Sequence, residues 1–240
     1  EETRKVLYED QYADAPMIQI AFPTVEQFHD DTYPLYFLVK LLAEDKNSPM
    51  HKVLVEERKL TSSIQLMQLA QAVSGMVWAY TVTYPNIDLD DVYDGFQEAL
   101  RRFEENGVDA KALQRYKTQY ENGLYRRLAG VLIKCNNIVT GNTFAGEPDK
   151  AFTEIEKYNA VTAEDIMRVY DKYIKGKNHV AISIVPEKRA DLSISGSFVA
   201  DLRTETIGQQ KSMSQAGAVI DDPYEHTPSL IDRSVEPDFL

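Results

Sequence analysis

The sequence contains few of the residues that most often bind metals or act as nucleophiles. Among its 240 residues there is one cysteine, Cys135, and there are four histidines. A single cysteine excludes an internal disulfide bond. Because Cys135 falls within a helical pattern, we expect a small buried side chain rather than a reactive thiol. No histidine has a second one at the spacing that puts two metal ligands on one helix face, so we expect the chain to bind no metal or other cofactor itself.

Further absences limit the possible activities and partners. The chain has no glycine-rich phosphate loop, no G-x-S-x-G elbow and no Cys–His pair. Its formal net charge is −12 without any block of Lys or Arg, which argues against nucleic-acid binding through phosphates. No apolar run is long enough to span a membrane, and no signal segment begins the chain. A chain that starts at Glu1 is expected to be a piece of a longer protein.

The clearest secondary-structure signals in the sequence lie between residues 48 and 84. Ser48 followed by Pro49 predicts a helix start, with a helix over Met50–Lys59. Polar and apolar residues then alternate through Ser63–Tyr84, which predicts two antiparallel strands around a tight turn. A two-stranded hairpin is marginal alone, so the remaining chain must supply more sheet.

The other apolar patterns supply strands at both ends and helices between them. Val6–Glu9, Met17–Phe22 and His179–Val185 are predicted strands. Such an order predicts an α+β fold, with helices covering one face of a largely antiparallel sheet. With 43% apolar residues, the composition is normal for a globular core.

Capping residues place several of the predicted helix ends. Asp31 and Thr32 are expected to cap a nearly all-apolar helix that runs to about Asp45. Thr162 and Asp165 stand at capping-box spacing before the last helix. The long helical pattern after Asp109 is expected to break near Gly130, with its inward residues continuing beyond the break: Leu132, Cys135 and Val139.

Apolar periodicity is lost toward the C-terminal end. Residues 187–240 include ten acidic and five basic residues, and several prolines punctuate them. We therefore predict one domain over residues 1–188 and an extended interdomain linker over residues 189–240.

The stretch SPMHKVLVEERKL, from Ser48 to Leu60, followed by a hairpin, resembles the pitrilysin/insulinase-type zinc metallopeptidases, and in particular their second, non-catalytic domain. Similar segments are Pro16–Thr24, Gly141–Pro148, Val161–Asp165 and Val185–Lys188. The likeness covers residues 1–188 and implies the metallohydrolase fold shared by mitochondrial processing peptidase and LuxS.

The resemblance also implies where the chemistry of the family lies. Catalytic domains carry H-x-x-E-H on a helix, with zinc on the two histidines and Glu as general base. This chain lacks that motif, and His51 with Glu56 has the wrong spacing. Zinc is therefore expected in the catalytic domain of the parent protein, and no peptidase activity is expected in this chain alone.

Second domains of the family commonly add an Arg and a Tyr, seven residues apart, that reach toward the substrate. Both can donate hydrogen bonds to a developing oxyanion. Aligned on Leu54 and Leu60, these positions are Val55 and Ser62, and neither can replace the pair beyond the weak hydroxyl of Ser62. Arg58 is the remaining candidate on the substrate side, although an arginine on a helix surface is usually only solvated.

Two functions stay open at this point. The first is a non-catalytic domain that forms part of the wall of a peptide-binding chamber. Its partners would be the catalytic domain of the same parent chain and peptide substrates. The alternative is a scaffold or interaction domain of a degenerate, non-proteolytic member. An H-x-x-E-H segment about one domain upstream in the parent would distinguish them.

Overall fold

A computed structural model describes residues 2–128 and 130–199 of the chain. Within these ranges the chain forms a six-stranded sheet and a set of helices. The strands are β1 (Arg4–Asp10), β2 (Met17–Thr24), β3 (Gln65–Ala70), β4 (Gly75–Val82), β5 (Val180–Pro186) and β6 (Phe198–Val199). The α-helices are α1 (Thr32–Ala43), α2 (Leu89–Asn106), α3 (Ala110–Leu128), α4 (Val131–Ala145), α5 (Lys150–Ala160) and α6 (Ala163–Tyr173).

The sheet has the order β3-β4-β2-β5-β1-β6. The first three pairings are antiparallel, whereas β1 lies parallel to both β5 and β6. One face of β2 is buried against helices through Ile18, Ile20 and Phe22, and α1, α2 and α6 pack on that side. The predicted α+β class, with helices on one face of a largely antiparallel sheet, is confirmed.

Local capping chemistry fixes the start of α6 and both ends of α2 as predicted, whereas the predicted cap of α1 by Asp31 is absent. The Thr162 hydroxyl accepts from the Asp165 N–H at 3.2 Å, and the Asp165 carboxylate accepts from the Thr162 N–H at 3.0 Å, which completes the capping box. The helix α2 starts after Asp88, whose side chain accepts from the Asp90 N–H, and ends at Gly107 with φ of 69°. Glycine adopts that φ without strain.

The segment after Ser48 is helical, as predicted, but wound as a π-helix over His51–Glu57. At its end the Arg58 N–H bonds to the Val53 carbonyl at 2.9 Å, five residues back. Lys59 then takes a positive φ of 52°, which turns the chain toward β3. Short π-helical segments are often found at functional sites.

The prediction that Cys135 is buried is wrong, and so is the inward placement of its two neighbours in the pattern. Cys135 is exposed, and Leu132 and Val139 are 82% and 62% exposed. Gly130 has an extended conformation between α3 and α4, so the axis changes there. The apolar stripe of α3 is therefore not continued onto the core, and α4 packs against α3 and α5 instead.

Residues just beyond 188 pack on the domain. A 3₁₀ turn spans Ala190–Leu192, Ile194 is fully buried, and β6 pairs with β1. The Ser195 N–H also bonds to the Asp90 carboxylate at 2.8 Å. This start of the predicted linker is thus folded against the sheet because it contributes apolar side chains. Residues 200–240 lie outside the described part, and the linker prediction there stays a prediction. Among the described helices, none is both long and apolar enough to cross a membrane.

Candidate functional site

The face of the sheet turned away from the helices is mostly apolar and only half buried, although the exposed Arg4 and Gln65 also lie on it. On β2 this face presents Met17, Gln19 and Ala21, which alternate with the buried residues of the same strand. We call this surface the open face. Its other apolar members are Val6, Met67, Leu69, Met76, Trp78, Tyr80, Val82, Val180, Ile182 and Ile184. A patch of this extent on a folded domain is typical of a surface that meets a partner or ligand.

A hollow lies near the middle of the open face. In the sheet register, Ala21 stands between Trp78 on β4 and Val180 on β5. Since alanine is much shorter than either neighbour, the surface is depressed there, and a cavity of about 320 Å³ opens above it. We call it the Ala21 hollow. Its lining residues are Gln19, Ala21, Leu69, Met76, Trp78, Val180 and Ile182, none of which is charged.

One edge of the sheet, at β3, borders the hollow. In the described structure β3 ends the sheet and is hydrogen-bonded to β4 alone among the strands. An edge strand presents a row of N–H and C=O groups that can pair with another extended chain, and α1 also packs against β3 in this domain. Leu69 belongs both to β3 and to the lining of the hollow, so the edge and the hollow are continuous.

The three residues predicted from the sequence lie around the end of the π-helix. Val55 is half buried within it, and Ser62 is exposed beyond it. The Arg58 guanidinium reaches away to α2, where Nη2 lies 2.6 Å from Glu98 Oε2 and Nη1 donates to the Asp91 carbonyl at 3.1 Å. Arg58 is thus occupied by contacts within the domain. The roles of all three on the substrate side stay predictions.

The contact between the π-helix and α2 is unusually close. A Cβ atom at Gly95 of α2 would lie 2.7 Å from Leu54 Cδ2, so only glycine lets the two helices approach this far without a shift. Arg102 of α2 joins the same contact by donating two hydrogen bonds of 2.7 Å to the Glu57 carboxylate of the π-helix, and it also pairs with Glu98 on α2 at 2.5 Å. Hydrogen bonds from Arg58 and Arg102 lower the pKa of the Glu98 carboxyl below its usual value. The ion pairs and the glycine contact hold the end of the π-helix on α2.

A buried ionic cluster, missed by the sequence reasoning, holds the start of α1 against α6. Asp31 makes no capping bond. Its carboxylate accepts from Arg168 at 2.6 Å, from Lys172 at 2.7 Å and from the Tyr173 hydroxyl at 2.6 Å, and its side chain is 5% exposed. Burial alone would raise the pKa of Asp31, but the three hydrogen bonds outweigh it and hold this pKa well below the usual range. The cluster is structural, and the signal for it was the helical spacing of the three donors.

The residues that the structure describes do not fit a zinc centre. No three His, Cys, Asp or Glu side chains among them converge on one point. His51 Nδ1 lies 3.6 Å from Glu56 Oε1, with no third donor. His179 uses Nε2 in a 2.8 Å hydrogen bond with the Tyr93 hydroxyl, and Nδ1 with a main-chain carbonyl. His29 Nδ1 accepts a main-chain N–H at 3.0 Å.

Comparison with known protein families shows which family the chain belongs to. The sequence profile described as the peptidase M16 inactive domain matches residues 1–120, half of the chain. The chain belongs to this family. The resemblance stated from the sequence is thereby confirmed, and the domain is of the inactive kind. No curated protein sequence matches the chain.

Solved structures support the M16 fold assignment. A protease from Helicobacter pylori is 16% identical over 77% of this chain and 44% of its own, with a TM-score of 0.68. The M16 inactive domain from Pseudomonas fluorescens is 14% identical over 77% of this chain and 43% of its own (TM-score 0.62). A chain of complex III2 from Candida albicans is 15% identical over 76% and 45% (TM-score 0.65). The M16 chain thus spans less than half of each of these relatives.

Proposed function

We propose that this M16 domain is a non-catalytic wall of the peptide-binding chamber of a zinc metallopeptidase. In this proposal it packs with the catalytic domain of the same parent chain, and its open face is turned toward the chamber. The observation that carries the proposal is the contrast within β2, where the residues facing the helices are buried, whereas Met17 and Ala21 on the open face are apolar yet half exposed. Apolar surface left uncovered by its own domain is typical of a surface with a partner or ligand.

The free edge of β3 gives this wall a way to hold peptides of varied sequence. An extended peptide can add to a sheet edge through main-chain hydrogen bonds, and such binding requires no particular side chain on the edge strand. It therefore tolerates Val55 and Ser62 at the positions where the family commonly has Arg and Tyr. The missing donors would act on charge that develops in the transition state, so their absence lowers turnover rather than peptide affinity.

A scaffold role in a non-proteolytic parent is the second candidate. Arg58 is the one cation among the three predicted substrate-side residues, and it is already bonded to Glu98 and to the Asp91 carbonyl. None of the three is therefore a free cationic donor for a substrate, which favours the scaffold role. The likeness to a chain of complex III2 is consistent with this candidate, although at 15% identity it supports the fold alone.

The test uses the full-length parent, with zinc measured by elemental analysis. The double variant Val55→Arg/Ser62→Tyr restores the pair of donors, and we expect turnover of a peptide substrate to rise while peptide affinity changes little. Arg58→Ala serves as the control and is expected to leave turnover unchanged.

Two outcomes contradict parts of this proposal. If the double variant has no effect and Arg58→Ala abolishes turnover, Arg58 is the working donor. If neither change matters and the parent holds no zinc, the scaffold role replaces the chamber role.

A further inference from the structure

We propose that the Ala21 hollow binds one apolar side chain, aliphatic or aromatic, of an extended peptide lying on the open face. This inference rests on the proposed chamber function and adds to it a preference for one class of side chain. It concerns residues of the sheet and not the positions of Val55 and Ser62.

The hollow exists because a small residue lies among large ones. Directly opposed residues on neighbouring strands have Cβ atoms about 5 Å apart, so Trp78 and Val180 form walls immediately beside Ala21. Leu69 and Met76, themselves a cross-strand pair, extend the wall on the Trp78 side. A larger residue at position 21 would level the surface.

The lining chemistry selects against charged side chains. Gln19 is the polar member of the lining, and the other members are apolar or aromatic. The lining offers a charged group no partner of opposite charge to offset its loss of water, whereas an apolar group would lose only unfavourable contact with water. Arg4, the exposed cation on the same face, lies opposite Val180 and outside the lining. The walls therefore favour aliphatic or aromatic side chains over Asp, Glu, Lys or Arg.

The position of the hollow fits a peptide anchored at the edge of β3. A strand added there would lie three strand spacings from β2, or about 14 Å at about 4.8 Å per spacing. About four residues of extended chain cover that distance. A peptide paired with β3 can therefore turn onto the open face past Leu69 and place a side chain over Ala21. A peptide uses a recess and a free edge together, whereas a broad flat partner needs neither.

The experiment uses Trp78, the single tryptophan of the chain, as a reporter in the wall of the hollow. The 240-residue chain is titrated with four capped peptides, Thr-Ser-Thr-Xaa-Thr-Ser-Thr, in which Xaa is Leu, Phe, Ser or Asp. We expect a saturable change of Trp78 fluorescence with Leu and Phe, with affinity about tenfold or more above that of Ser, and the weakest binding with Asp.

Two variants test whether the preference for the Leu and Phe peptides arises in the hollow. Ala21→Leu fills the hollow from the half-exposed face without touching the core, and it is expected to remove the preference for Leu and Phe while leaving binding at the level of the Ser peptide. Val82→Leu adds bulk on the same face outside the hollow and is expected to keep the preference. Thermal unfolding by circular dichroism checks that both variants fold.

The alternative outcomes separate this inference from the proposed function. Equal binding of all four peptides overturns the hollow but leaves peptide binding by the chamber wall intact. An unaltered preference in Ala21→Leu also overturns it, because the selecting site must then lie elsewhere. If no peptide binds and the chain forms a dimer that Ala21→Leu disrupts, a second copy occupies the face and the inference fails. Whether the parent holds zinc and cleaves peptides is a separate measurement, and it tests the proposed function alone.

Discussion

The two faces of the central strands are made from similar residues but have different surroundings. On the helix side of β2, Ile20 is 1% exposed, and Ile18 and Phe22 are similarly buried, with α2 and α6 packed against the strand. On the open side of the neighbouring β5, Ile182 is only half buried. Hydrophobicity thus does not distinguish the faces, whereas the presence of a covering layer does. The helix side carries the stability of the domain, and the open side keeps apolar surface for a partner or ligand.

The largest effect is expected in a comparison of two isoleucines on paired strands, one on each face. Ile20→Ala removes a fully enclosed side chain and is expected to lower the free energy of unfolding by about 4 kcal/mol, because a cavity remains in the core. Ile182→Ala removes a side chain already in contact with water and is expected to lower it by about 1 kcal/mol. Urea unfolding at neutral pH measures both. Equal losses would mean that the open face is covered in the free chain.

The second test concerns the ionic cluster at the edge of the helix layer. Asp31→Asn keeps the shape of the side chain but removes the charge that Arg168 and Lys172 bind, and we expect a loss of about 2 kcal/mol in unfolding free energy. Since the two cations are half exposed, they can return to water, which limits the loss. Asp30→Asn is the matched control. The Asp30 side chain is 83% exposed, and its pairing with Lys157 should contribute little.

The charge of Asp31 also predicts how the stability of the domain depends on pH. The folded state holds the pKa of Asp31 well below its usual value, so the carboxylate stabilises the protein above the unfolded pKa of about 3.9. This contribution is lost as pH falls below about 4, toward the folded pKa. The stability difference between the native protein and Asp31→Asn should therefore shrink between about pH 5 and pH 2. A difference that stays constant over this range would show that the charge of Asp31 is not responsible.

The smallest effect is expected at the surface near the π-helix. Arg58→Ala breaks a partly exposed pair with Glu98 and should lower the unfolding free energy by less than about 1 kcal/mol, because solvent screens the charges. Glu98 keeps Arg102 as a partner in this variant. A double-mutant cycle of Arg58→Ala and Glu98→Ala measures the pair directly. A coupling well above 1 kcal/mol would place Arg58 among the structural residues of the domain.

Features set by neighbouring residues were predictable from the sequence. The capping box of Thr162 and Asp165 and the glycine end of α2 depend on residues within one turn, so their chemistry can be read locally. Asp31 was expected to cap α1 for the same reason. Its actual donors lie on α6, far away in the sequence, and no local pattern shows that they outcompete the cap.

The face of each strand and the path of α4 were not predictable in this way. On β4 the large aromatic residues Trp78 and Tyr80 lie on the open face, while the smaller Val77 and Ala79 lie in the core, so side-chain size gives the opposite impression. The break near Gly130 was predicted, but the helical period that Cys135 shares with α3 does not show in which direction α4 continues after it. The Ala21 hollow likewise depends on strand pairing and not on any motif.

The pairing of β1 with β5 determines when this domain can be completed during synthesis. Residues 4–10 leave the ribosome about 175 residues ahead of their partners in the sheet, residues 180–186. Bringing β1 and β5 together closes a long loop, which costs conformational entropy and is slow. The loop must close before the two strands can form their stabilising contacts. Until residue 186 has emerged, β2 has an unpaired edge in what will become the middle of the sheet. We therefore expect the nascent chain to expose that edge to chaperones for most of its synthesis, and to acquire its final stability only when β5 inserts between β2 and β1.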